Sequence, residues 1–150
     1  MSKPTILLLS IVYFASILIV GIFGMQVMSF NNVNYIDSIT INVQDVEFSN
    51  GKSPIAPIKE EEILDDGIPY MKYTIVFKYA KDLNISIKPI VVAIDPTLDP
   101  TDKTLNVSSN NTNSVYENGI FTVKTKGVVT FTFNSQDASN KKMIIVLVPQ

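Results

Sequence analysis

Five carboxylates fall within seven residues, Glu60-Glu61-Glu62 and Asp65-Asp66, in a stretch bounded by Pro57 and Pro69. This is the densest chemistry in the chain. Carboxylate oxygens bind calcium when a turn makes them converge, but the spacing here is not that of an EF-hand loop. Charge runs usually stay solvated, so an acidic loop is the plainer reading, and a calcium ion or a basic partner the sharper one. Asp95, Asp99 and Asp102 form a second acidic group beside Pro96 and Pro100. Aspartate next to proline is turn chemistry first.

The rest of the composition removes most reaction types. The 150 residues contain no Cys, His, Trp or Arg. Disulfides, Cys/His zinc clusters, and Ser-His-Asp or Cys-His nucleophiles are therefore excluded. Paired carboxylates alone lack the nucleophile, metal or pocket that a reaction needs. The chain is expected to be non-enzymatic, with no catalytic, cofactor-binding or metal residues and no cofactor. A net charge of -2 with scattered lysines offers no basic stripe, so nucleic acid is not an expected partner. Asn118-Gly119 and Gly127 lie where the chain must reverse. They lack the strand-turn-helix setting of a phosphate cradle. Asn84-Ile85-Ser86, Asn106-Val107-Ser108 and Asn110-Asn111-Thr112 are glycosylation sequons, of the kind an Asn-rich composition also generates by chance.

The elements that must position these groups read as β structure. Ile39, Ile41 and Val43 alternate with polar residues, and the alternation then slips by one residue to Val46 and Phe48. Such a slip predicts a bulge or a crossing between sheets. Met71, Tyr73, Ile75, Phe77 and Tyr79 form the cleanest alternating strand, with Lys72, Thr74 and Lys78 outward. Further strands are predicted near 85–94, 104–108, 119–124, 128–134 and 142–148, separated by turn residues. About seven short strands without an amphipathic helix predict an all-β sandwich.

Ahead of these strands, no charged side chain lies between Lys3 and Asp37, and the run from Ile6 to Met28 is almost wholly apolar. At roughly 1.5 Å per helical residue it is long enough to cross a hydrocarbon core of about 30 Å. Residues 1–5 then read as a short cytoplasmic amino terminus, 6–28 as a transmembrane signal anchor, 29–37 as a linker and 38–150 as an extracytoplasmic domain. Lys3 alone sets this orientation through the positive-inside rule. A secretory signal peptide cleaved near Ser29 and a type IV pilin stem compete with the anchor. The stem lacks the basic processing site and the helix glutamate of pilins.

The second half resembles a known family. Val91-Val92-Ala93-Ile94-Asp95-Pro96-Thr97, then Lys103 to Asn110, then Asn118 to Phe133 with its two glycines, are similar to the bacterial immunoglobulin-like domains, group 2, of intimin and invasin type. The resemblance covers about residues 71–149. It departs from the family in lacking the tryptophan after the proline turn and in an acidic, proline-containing insertion at about 50–69.

Together these readings predict an immunoglobulin-like β-sandwich of about seven strands behind one transmembrane helix. The implied role is a membrane-anchored, single-pass module at the cell surface, serving adhesion, structural spacing or protein contact. An accessory subunit of a membrane assembly, or a pilin-like filament subunit, is the alternative. Expected partners are the lipid bilayer, through residues 6–28, and a protein or surface near the same membrane. The last strand is apolar on both faces from Met143 to Val148, which suggests self-association or docking through it.

Overall fold

Tyr73, Ile75 and Phe77 alternate with Lys72, Thr74 and Val76, so an extended chain here buries one face and wets the other. The computed structural model describes residues 4–6, 8–13, 15, 33–51 and 54–150, and over these the same rule builds most of the chain. Its strands are β1 (Ile36–Ile41), β2 (Glu47–Phe48), β3 (Lys59–Asp65), β4 (Ile68–Phe77), β5 (Leu83–Ser86), β6 (Pro89–Ala93), β7 (Leu105–Ser109), β8 (Val115–Glu117), β9 (Ile120–Val123), β10 (Val129–Ser135) and β11 (Lys142–Pro149). The chain divides into two units, Met1–Val33 and Asn34–Gln150. In the first, the described residues from 4 to 15 are helical, and the Ser10 hydroxyl donates to the Ile6 carbonyl at 3.0 Å.

The second unit holds three sheets: β1-β6, β3-β4-β11-β10-β7, and β2-β5-β9-β8. All pairings are antiparallel except β4 with β11, which run parallel from Met71 against Met143 to Phe77 against Pro149. After β1 the chain turns through a short 3-10 segment, Val43–Asp45, and enters another sheet at β2. Asn42 caps that segment: its Oδ1 accepts from the Gln44 N–H at 3.2 Å.

One core joins the sheets. Phe121 of β9 meets Phe131 of β10 at 4.4 Å between ring centroids and Tyr116 of β8 at 4.5 Å, so the four- and five-stranded sheets share an aromatic layer. Ile36, Ile39 and Ile41 of β1 belong to the same buried cluster. Tyr73 reaches β1 with its hydroxyl, which accepts from the Ile41 N–H at 3.3 Å. Tyr73→Phe removes that acceptor and leaves a buried N–H without a partner. Thermal or urea unfolding should show a loss of about 1 kcal/mol.

Several expectations are corrected here. The fold is not an immunoglobulin-like sandwich of about seven strands: among the described residues eleven strands form three sheets, one with a parallel pair, so the resemblance to the group 2 immunoglobulin-like domains is not carried forward. Among the described residues no helix is long and apolar enough to cross a membrane, and most of the run Ile6–Met28 lies outside the described residues. The transmembrane anchor is therefore withdrawn, and with it the bilayer as partner, the single-pass topology with a cytoplasmic amino terminus, and the anchored adhesion, membrane-assembly and pilin-like roles. Strand addition at the last strand is excluded by topology. β11 lies between β4 and β10, with both edges already paired.

The acidic insertion is also more ordered than a solvated loop. Lys59–Asp65 pairs with β4 over its whole length, and Asp66 (φ 49°) with Gly67 (φ 80°) make the two-residue turn between them. Two successive positive φ angles match the right-handed twist of a hairpin, and Asp-Gly is suited to them. A side chain at residue 67 would meet nothing within 4 Å, so Gly67→Ala tests backbone strain alone. A loss of about 1 kcal/mol in unfolding free energy is the expected result.

Candidate ligand-binding trough

The open edge of β1 carries the most developed surface site. In an antiparallel ladder, residues alternate between bonding their neighbour and pointing away from it. The Ile41 N–H is taken by Tyr73 and the Ile36 N–H by the Asp137 carboxylate at 2.7 Å, so both point away from β6. Ile39, two residues before Ile41, is directed to that same side by the alternation, although the residue is only 1% exposed. There a cleft of about 300 Å³ opens between β1 and the beginnings of β4 and β11.

The cleft is lined by Asp37, Ser38, Ile39 and Thr40 of the β1 segment, by Glu62, Pro69, Tyr70 and Met71 of the β3–β4 hairpin, and by Lys141 and Lys142. One wall is held rigidly. The Lys142 ammonium bonds Asp65 at 2.5 Å and sits 4.4 Å from the centre of the Tyr70 ring. The hydrogen bond that Lys142 donates to Asp65 raises the Lys142 pKa, with burial opposing and the charges of Asp65, Tyr70 and Asp66 adding to it. Asp37, Glu62 and Lys141 have no ion-pair partner among the described residues. The cleft thus presents two uncompensated carboxylates and one uncompensated ammonium beside a strand edge.

A second hollow of about 480 Å³ is lined by Tyr35, Ile36, Asp37, Ile94, Ala138, Ser139 and Lys141. It shares Asp37 and Lys141 with the first, which makes the two one trough along β1. Tyr35 and Ile94 are large and exposed, so this end is apolar. Asp137 fastens the trough floor. Burial pushes its carboxyl up, but hydrogen bonds from the Ser139 hydroxyl, the Ile36 N–H, the Ser139 N–H and Ser135 outweigh this and hold it below the usual carboxylate range.

The acidic residues singled out from the sequence divide between this trough and simple turns. Glu62 lines the trough and Asp65 braces its wall, whereas Glu61 pairs with Lys59 at 2.8 Å, which lowers its pKa. Asp95 Oδ1 accepts from the Thr97 hydroxyl and N–H, Asp102 accepts from the Thr104 N–H, and Asp99 pairs with Lys103. These bonds lower the Asp95 and Asp102 pKa values and make turns, not a site. Among the described residues, no group of three or more His, Cys, Asp or Glu is placed to hold a metal ion. Asp37, Tyr70, Lys141 and Asp137 went unnoticed as site residues in the sequence. Tyr70 had a signal, since it lies early in the strand that follows the Asp66-Gly67 turn.

No family model, curated protein or solved structure matches the chain.

Proposed function

We propose that the Asn34–Gln150 unit is a non-catalytic binding domain for a short extended peptide that carries both a basic and an acidic group. The observation that carries this reading is the trough itself: a cleft along β1 lined by Asp37, Glu62 and Lys141, none of which has an ion-pair partner among the described residues. An added strand supplies affinity through main-chain bonds and specificity through alternate side chains. At roughly 3.3 Å per residue, the stretch from Tyr35 to Thr40 takes about six ligand residues. A basic side chain fits against Asp37 and Glu62, an acidic one against Lys141, and an apolar one against Tyr35 and Ile94.

Calorimetric titration of the full chain with six-residue peptides of mixed charge tests this. Lys141→Gln should weaken a peptide with an acidic residue about tenfold, the scale of one charge-assisted hydrogen bond, and leave its amide analogue unchanged. Equal loss for both peptides, or no binding by any peptide of the set, sinks the reading.

A further inference from the structure

The five-stranded sheet ends in two edges of opposite character. β3 carries Glu60, Glu61, Glu62 and Asp65, and charge on an edge discourages pairing with another chain. β7, Leu105-Asn106-Val107-Ser108-Ser109, carries no charge and no proline. The outer strands of the four-stranded sheet, β2 and β8, are protected by being only two and three residues long. β7 is thus a five-residue edge with neither protection.

Its free groups can be located from the ladder on its other side. The Gln136 N–H donates to the Thr104 carbonyl at 3.1 Å, and the Asn110 N–H to the Thr130 carbonyl at 3.1 Å. Even-numbered residues of β7 therefore bond β10, and Leu105, Val107 and Ser109 direct their N–H and C=O groups outward. Beside this edge, Leu105 and Val107 also line a groove of about 450 Å³ with Pro89, Val91, Lys103, Tyr116 and Phe133.

We infer that β7 pairs antiparallel with β7 of a second copy of this chain, about a two-fold axis normal to the sheet and midway between the two Val107 residues. In that register Val107 faces Val107, and Leu105 faces Ser109 in each direction. All three outward-bonding residues of each copy find partners, giving about six hydrogen bonds, two for each hydrogen-bonded pair. Lys103 faces Asn111 and Asp102 faces Thr112, so no like charges meet. Opposed residues lie on one face, so each copy's Leu105 and Val107 extend the other's groove wall and cover it. The same operation on β3 sets Glu62 against Glu62. This contrast selects a second copy at β7, and it uses a different strand from β11, whose edges are filled.

The register gives a specific test. Asn106 and Ser108 are exposed, point away from the core and face each other across the proposed axis. In the full chain followed by sedimentation equilibrium from micromolar to millimolar concentration, the wild type should show a monomer–dimer equilibrium. N106K/S108K sets like charges opposite each other twice and should weaken the dimer about tenfold. N106K/S108E sets opposite charges there and should restore it. A wild type that stays monomeric throughout overturns the inference, as does a dimer indifferent to both charge patterns. Circular dichroism of the variants confirms that the core-facing residues are untouched.

Discussion

Phe121→Ala should reduce the free energy of unfolding by about 3–5 kcal/mol, the cost of replacing a fully buried aromatic ring with a methyl group when the surroundings cannot collapse. Phe121 has no exposed surface and lies where the two larger sheets meet. Its ring touches Tyr116 at 4.5 Å and Phe131 at 4.4 Å, with Phe133 at 6.3 Å. These rings come from β8 and β10, so a hole at residue 121 loosens both layers at once. Phe48 provides the comparison: it lies on the two-residue β2 and has Phe77 as its aromatic neighbour at 5.9 Å. Phe48→Ala should cost less. Urea unfolding monitored by circular dichroism checks both, and a loss under about 1 kcal/mol for Phe121→Ala contradicts the shared core.

Asp137→Ala should cost roughly 1.5–3 kcal/mol at neutral pH, the range for hydrogen bonds to a charged acceptor. The carboxylate receives the Ile36 N–H at 2.7 Å and the Ser139 N–H at 3.1 Å, and also bonds the Ser139 hydroxyl. It ties the first residue of β1 to the turn between β10 and β11, across the whole length of the domain's sequence. The pH dependence follows in sign. The folded carboxyl titrates below the unfolded one, so its stabilisation is complete above the unfolded value of about 3.9 and is lost as the pH falls through the folded value. Asp137→Ala should therefore flatten the acid limb of the stability profile. An acid limb as steep as that of the wild type shows that Asp137 does not carry it.

Much of the strand content was legible because burial on one face forces alternation. β4 follows from Tyr73, Ile75 and Phe77, and β10 from Val129, Phe131 and Phe133. β3 was hidden by its own charges: a run of glutamates has low strand propensity, and tertiary pairing with β4 overrides it. Asp66-Gly67 was the signal that outweighs the run. The doubly apolar β11 suggested docking, yet its outward Ile144 and Val146 are half-buried, set between Lys72 and Thr74 on one side and Thr132 and Thr130 on the other. A central strand has aliphatic residues on both faces for this reason alone. The number of sheets and the parallel pair could not be read from alternation, which says which face is buried but not which strand lies alongside.

The trough was invisible for a different reason. Asp37 and Lys141 are unremarkable surface residues in sequence, and the shared core and the Asp137 bond to β1 bring their segments together. Lys142 is a brace between Asp65 and Tyr70, a role set by partners far away in sequence. Such a site is made by long-range contacts and leaves no local motif.

Amide chemical-shift mapping of the full chain during titration with a six-residue peptide of mixed charge tests the binding reading most directly. The Ile39 amide should shift and gain protection from hydrogen exchange, with smaller shifts at Asp37, Ser38 and Lys141. Shifts that cluster instead at Leu105, Val107 and Ser109, or an Ile39 amide indifferent to saturating peptide, contradict it.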